Sequence, residues 1–170
     1  GAYLKVHKSK NDWGFWTEEQ INVLNRKIYL PRGKTLGGSS STNAMAYVRG
    51  NPADYDGWAE LGNFGWSFKD LLPYFKRSEN HAQIDIMDSY YHSRSGELGV
   101  TLPTKFKTPY VDGFIDACAA LGIPKNLDYN GATQEGASLV QSTIKKGKRA
   151  SGATAFLKPA LNRKNLTAIS

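Results

Sequence analysis

The densest chemical signal in the chain is the run Arg32-Gly33-Lys34-Thr35-Leu36-Gly37-Gly38-Ser39-Ser40-Ser41-Thr42-Asn43-Ala44-Met45-Ala46-Tyr47. Glycine tolerates positive φ and lets a backbone approach a ligand with no Cβ in the way. Hydroxyls and exposed amide N–H groups can donate to phosphate and polyol oxygens. Two readings fit this composition equally well: a phosphate-binding loop, and a tight turn leading into a capped helix. Two better-defined loops are excluded. Gly33-Lys34-Thr35 imitates the end of a Walker loop, but that motif needs a glycine where Ile28 stands, and no Gly-x-Gly-x-x-Gly occurs anywhere in the chain.

Other reactive side chains offer less. The single cysteine, Cys118, excludes an internal disulfide and a cysteine-rich metal site, and its alanine neighbours mark it as a small core residue. His7, His81 and His92 are far apart and show no ligand spacing, so no metal site is expected. Lys+Arg number 22 against 15 Asp+Glu, a formal charge of +7. The one dense basic run, Lys145, Lys146, Lys148 and Arg149, is short and free of interleaved aromatics. It reads as a solvated hairpin or strand end rather than a nucleic-acid stripe. No stretch approaches the roughly 20 apolar residues of a membrane helix.

The elements around the glycine–serine run follow from local signals. Residues 1–26 read as mostly loop, with an aromatic cluster at Trp13, Phe15 and Trp16; Lys27 to Pro31 reads as a short strand. A helix is expected over 51–62, with Asn51 as N-cap, Pro52 first, Asp54 in the first turn, Tyr55, Trp58 and Leu61 on the apolar face, and Gly62 closing it. A second starts at Ser67 with Asp70 in a variant capping box; Phe68, Leu71, Leu72 and Phe75 form its buried stripe, and Pro73 should kink it or end a turn. Residues 79–97 read as a long polar loop with His92 at its surface. A strand over 98–102 precedes a helix capped by Thr108, with Val111, Phe114, Ile115 and Cys118 inward and Gly122 at its end. Residues 137–144 read as a strand, and Ser151 as the cap of a helix through Leu161. The chain opens on Gly1 and stops in Asn165-Leu166-Thr167-Ala168-Ile169-Ser170, which reads as the first half of a strand; the expectation is an internal fragment.

The segment from Pro31 to Asn80 resembles the glucose–methanol–choline (GMC) oxidoreductases. The matching words are Gly33-Lys34-Thr35-Leu36-Gly37-Gly38-Ser39-Ser40, Asn43-Ala44-Met45, Tyr47-Val48-Arg49-Gly50, Asn51-Pro52-Ala53-Asp54-Tyr55-Asp56, Gly65-Trp66-Ser67 and Leu71-Leu72-Pro73-Tyr74-Phe75. Fainter echoes follow at Arg149-Ala150-Ser151, Ala155-Phe156-Leu157 and Asn165-Leu166. The chain departs from the pattern at Thr42, where an aliphatic residue is usual, and at Ser93 after His92, where glycine often stands. Within the family the resemblance is greatest to the choline-dehydrogenase-like branch, with the insect glucose-dehydrogenase-like branch close behind.

The resemblance implies an α/β fold: an incomplete, Rossmann-like FAD-binding domain with part of an α+β substrate domain. Residues 1–80 and 150–170 would lie on the FAD side and 81–149 on the substrate side. Thr35, Gly37, Gly38 and Ser39 would run along the FAD pyrophosphate and ribityl chain, and Asn43, Ala44, Met45 and Ala46 would approach the isoalloxazine. The implied reaction is oxidation of a small-molecule alcohol, choline-like or sugar, with hydride passing to the flavin and electrons to an unspecified acceptor. The histidine that takes the hydroxyl proton in the family, and the first nucleotide turn, lie outside this sequence. No catalytic residue is therefore assigned, and none of the three histidines is promoted to that role. Two alternatives remain: a module that keeps the fold without the chemistry, and a basic nucleic-acid-binding domain, which would show salt-dependent affinity.

Overall fold

The computed structural model describes residues 5–169. The chain packs into two compact units, one built from the chain up to Met45 and from Arg149 onward, the other from Ala46–Lys148.

In the first unit, β1 (Phe15–Trp16) pairs antiparallel with β2 (Tyr29–Leu30), Phe15 opposite Leu30. The region expected to be mostly loop thus contains one strand of a hairpin. Its aromatics face outward: Trp13 stacks on Phe15 at 6.1 Å, with the Lys34 ammonium 4.7 Å from the Trp13 ring centre. Past β2 the chain enters the glycine–serine turn, which closes as a short 3₁₀ helix at Gly38–Ser41. The segment from Arg149 returns to this unit. Ser151 starts a helical stretch as expected, its Oγ accepting from Thr154 N while Thr154 Oγ1 accepts from Ser151 N. The stretch opens as a wide π-type turn at Ala153–Leu157 and tightens to an α turn at Lys158–Ala160, where Pro159 has no N–H to offer. Asn165 to Ile169 carry no strand, since no described partner pairs with them.

The second unit opens with α1 (Pro52–Glu60), whose capping box is complete: Asn51 accepts from Ala53 N at 3.0 Å, and Asp54 reaches back to Asn51 N. The expected inward face is not buried, because Trp58 and Leu61 are exposed. The helix α2 (Phe68–Ser78) is capped by Ser67 and runs through Pro73 without ending; of its stripe Leu72 is buried, and Phe68, Leu71 and Phe75 are half-buried. The expected loop over 79–97 instead begins with β3 (Glu79–His81), parallel to β4 (Leu98–Val100), with Glu79 opposite Leu98. The helix α3 (Pro109–Ala120) turns Val111, Ile115 and Cys118 inward but leaves Phe114 68% exposed. Residues 137–143 make only isolated bridges, Ser142 to Ala46 and Thr101, Ala137 to Lys125, and regular strand begins at Ile144–Lys145. The basic run turns at Lys146 and Gly147, both at positive φ, and Lys145, Lys146 and Lys148 are exposed.

The core of the second unit is small and centres on Leu72, Val100 and Leu102. Leu102→Ala should therefore lower its stability by about 2–5 kcal/mol. Phe114→Ala, on the exposed side of α3, should change it by no more than about 0.5 kcal/mol. Equilibrium urea unfolding compares the two, and an equal loss would mean that α3 packs with its other face inward.

Candidate functional site

The turn from Gly33 to Asn43 is folded by its own polar groups. Gly38 N donates to Thr35 O at 2.8 Å, Thr42 N and Asn43 N both donate to Ser39 O, and Gly33 N donates to Ser39 Oγ at 3.2 Å. Two more serine hydroxyls donate to nearby carbonyls, Ser40 Oγ to Gly37 O at 2.5 Å and Ser41 Oγ to Leu36 O at 2.8 Å. Side chains that could have bound a ligand with their hydroxyls are thus partly spent on shaping the turn.

A second segment braces it. Arg149 Nη1 donates to Ser40 O at 3.2 Å and to Asn43 Oδ1 at 2.7 Å, and Gly152 N donates to Ser40 Oγ at 2.7 Å. Asn43 Oδ1 also accepts from Met45 N at 3.0 Å, so the asparagine oxygen is doubly held and its amide orientation is fixed. Arg149 is the contributor that the sequence pattern did not assign a role. The only signal for it was the faint Arg149-Ala150-Ser151 echo.

The two adjacent glycines differ. Both have positive φ, +87° at Gly37 and +55° at Gly38. A Cβ at Gly37 would lie 2.5 Å from Ser41 Oγ and 3.0 Å from Ala153 N, so this glycine allows the turn to pack on the returning segment. A Cβ at Gly38 would meet nothing within 4 Å. Bare main chain therefore faces open space at Gly38, the arrangement a closely approaching ligand needs. Thr35, Ser39, Asn43 and Ala44 are exposed beside it, and Met45 is half-buried. Met45 holds φ +66°, a left-handed conformation uncommon for a residue with a side chain, of the sort that clusters at ligand-binding segments. The structure brings Thr35, Gly37, Gly38, Ser39, Asn43, Ala44 and Met45 together in the first unit, while Ala46, also exposed, opens the second.

The second unit holds a buried charged centre. Arg49 Nη2 lies 3.2 Å from Glu79 Oε1, the two oxygens of Glu79 lie 3.0 and 3.1 Å from His92 Nδ1, and His92 Nε2 lies 2.8 Å from Asp128 Oδ2. His92, expected at the surface, is 2% exposed. The expectation failed because its partners come from β3 and from residue 128, too distant in sequence for a local pattern to show. Burial alone would push the imidazole pKa down, but the hydrogen bonds it donates to Asp128 and Glu79, with both carboxylate charges, outweigh it and raise it to about 9. His92 is then an imidazolium donating to both carboxylates, and Asp128 is held below the usual carboxylate range despite its burial. Two positive and two negative groups cancel, which is how a buried set of charges can be tolerated. His81 beside it is pushed down, first by burial. Among the described residues no group of three or more His, Cys, Asp or Glu side chains could hold a metal ion, and no helix is long and apolar enough to cross a membrane.

The family profile described as GMC oxidoreductase matches residues 19–170. Among curated relatives, the oxygen-dependent choline dehydrogenase of Rhizobium etli (strain CIAT 652) is 44% identical over 91% of this chain, and that of Photobacterium profundum is 40% identical over 95%. The chain spans 28% of the length of each. Among solved structures, pyridoxine 4-oxidase from Mesorbium loti superposes with a TM-score of 0.82 at 31% identity, over 98% of this chain and 32% of that one. An FAD-dependent oxidoreductase from Chaetomium thermophilum superposes with a TM-score of 0.77 at 28% identity, over 89% of this chain and 28% of that one.

The charged centre makes stability pH-dependent in a definite direction. The His92 pKa rises from 6.5 to about 9 on folding, so its contribution is complete below pH 6.5, declines above that and is lost as pH passes about 9. The urea midpoint should fall between pH 6.5 and 9 in the parent and stay flatter over that window in His92→Gln. Parallel curves for the two proteins would contradict a protonated His92.

Proposed function

The chain belongs to the GMC oxidoreductase family, and from that premise we propose that it is the part of an FAD-dependent alcohol oxidoreductase that holds the cofactor's phosphate-to-ring stretch. The observation that carries this reading is the outward-facing bare main chain at Gly38, where a Cβ would meet only open space. A cofactor passing there can lie against the backbone itself.

In this reading Thr35, Gly37, Gly38 and Ser39 run beside the pyrophosphate and ribityl chain, with Asn43, Ala44, Met45 and Ala46 approaching the flavin ring. Bound flavin supplies the acceptor for hydride from the alcohol carbon. The residues of this chain bind and orient it. The turn keeps its shape through Arg149 and Gly152, which clamp Ser40 and Asn43. Arg149 also places a positive charge beside the turn, which favours an anionic phosphate group. The small side chains of Ala44 and Ala46 leave room for a flat ring. The division of roles belongs to the same proposal, with residues 1–80 and 150–170 serving the cofactor and 81–149 the substrate; it concerns ligand contacts rather than the packing of the two compact units.

The substrate is a small alcohol, choline-like on the strength of the named relatives. Residues that take the substrate's hydroxyl proton are supplied from outside this chain, so the isolated 170-residue chain is expected to show no dehydrogenase activity and to retain little FAD.

In the full gene product, Gly38→Val should lower the FAD-to-protein ratio at least about tenfold after gel filtration, because a branched side chain would occupy the space the cofactor needs. Gly57→Ala, in α1 with open space around it, should leave the ratio unchanged. An unaltered flavin content in Gly38→Val would place the cofactor elsewhere.

A further inference from the structure

The charged centre does not end at Asp128. Asp128 Oδ1 accepts from Gln141 Nε2 at 2.9 Å, Gln141 Oε1 accepts from Asn130 Nδ2 at 2.9 Å, and Asn130 Oδ1 accepts from the backbone N of Arg49 at 2.7 Å. The series that starts at the Arg49 guanidinium therefore returns to the Arg49 main chain. It is a closed series of polar contacts through six residues, Arg49, Glu79, His92, Asp128, Gln141 and Asn130, in which the Arg49–Glu79 link is an ion pair without a hydrogen bond. The side chains of Glu79 and Gln141 are fully buried, and Arg49, His92 and Asn130 are at most 5% exposed.

Such a circuit has a polarity. A carboxylate at Asp128 only accepts, so Gln141 must turn its Nε2 toward it and its Oε1 toward Asn130. Asn130 must then present Nδ2 to Gln141 and Oδ1 to Arg49 N. In that orientation Nδ2 also donates to Tyr47 O at 3.0 Å, so one amide grips an acceptor and a donor of the same backbone stretch. Tyr129 OH adds a second donor to Tyr47 O at 3.0 Å, and Tyr47 N donates to Gln141 O at 2.9 Å. Ala46, one residue earlier in the chain, bridges to Ser142. Strand-like segments are usually held by backbone ladders. This one is held largely by side chains whose orientation is dictated by buried charge.

We propose that Asn130 is a positioning residue: its amide, fixed in orientation by the buried circuit, holds the Tyr47 main chain and so sets where Ala46 meets the flavin ring. The inference rests on the reading that Ala46 approaches the ring, and it assigns Asn130 no contact with substrate or cofactor. Its effect is geometric, since a small displacement of backbone beside a bound ring alters both affinity and the ring's electronic surroundings.

The test uses the full gene product loaded with FAD. Asn130→Asp preserves shape and the acceptor for Arg49 N but removes both donors, leaving oxygen facing oxygen at Tyr47 and Gln141. It should raise the FAD dissociation constant about tenfold and alter the visible circular dichroism and midpoint potential of the flavin that remains bound. Tyr129→Phe, which loses the donor to Tyr47 O and the acceptor of Gln141 N and adds no charge, keeps the test open if the first variant does not fold; it should change the same flavin signals in the same direction by a smaller amount. A folded variant with unchanged thermal midpoint but shifted flavin signals supports positioning. Variants that lose only thermal stability, with flavin affinity, dichroism and potential as in the parent, overturn it and leave the cofactor reading intact. A parent that takes up no FAD overturns both, and that outcome is distinguishable because it needs no variant.

Discussion

Main chain in the Gly33–Asn43 turn packs on one side and is open on the other, and the proposed cofactor site makes both demands of it. Gly37 answers the first demand: only hydrogen fits between it and the Ser41 hydroxyl and Ala153. Gly38 answers the second, with positive φ and open space where a Cβ would stand. A backbone bent in this way leaves donors and acceptors to be satisfied, and the turn's serines meet many of them locally. What local bonds cannot do is fix the open side, and that falls to Arg149 and Gly152 from more than 100 residues downstream. The turn is therefore a tertiary feature even though its sequence looks local.

How much of this was legible in the sequence depends on the range of each interaction. Caps and stripes act within four residues, so α1, α2 and α3 could be read from Asn51, Ser67 and Pro109, and the glycine–serine run announced itself. Periodicity shows which face of a helix is apolar. It does not show whether anything in the chain covers that face, which is why Trp58, Leu61 and Phe114 were expected inside and lie outside. The segment over 79–97 reads as loop because Glu79, His81 and His92 are polar, yet they are buried by one another and by residue 128. A single polar residue gives no hint of burial when its partner is 13 or 36 positions away. The same holds for Arg149 and Asn43, 106 apart. Family resemblance reached further than local physics here, since it singled out Arg149-Ala150-Ser151 without supplying a reason.

The second unit solves a different problem. Its apolar core is small, and a large share of its interior is charged or amide. Buried charges are tolerable when they are paired and neutral as a set, and Arg49, Glu79, His92 and Asp128 meet those terms when His92 carries its second proton, although Arg49 Nε and Nη2 make no hydrogen bond. The gain over an apolar core is directionality. Greasy side chains can slide, whereas a carboxylate, an imidazolium and two amides in series admit one arrangement of donors and acceptors. That arrangement terminates on the peptide groups of Tyr47 and Arg49, immediately after the residues that the cofactor is proposed to meet.

Amide hydrogen exchange in the full gene product, with and without FAD, reads the main chain of the turn peptide by peptide. If bare main chain at the turn holds the cofactor, FAD should slow exchange most strongly over residues 37–46, with lesser changes in the rest of the chain. Strong FAD-dependent protection elsewhere, with residues 37–46 exchanging at the same rate in both states, would contradict the account.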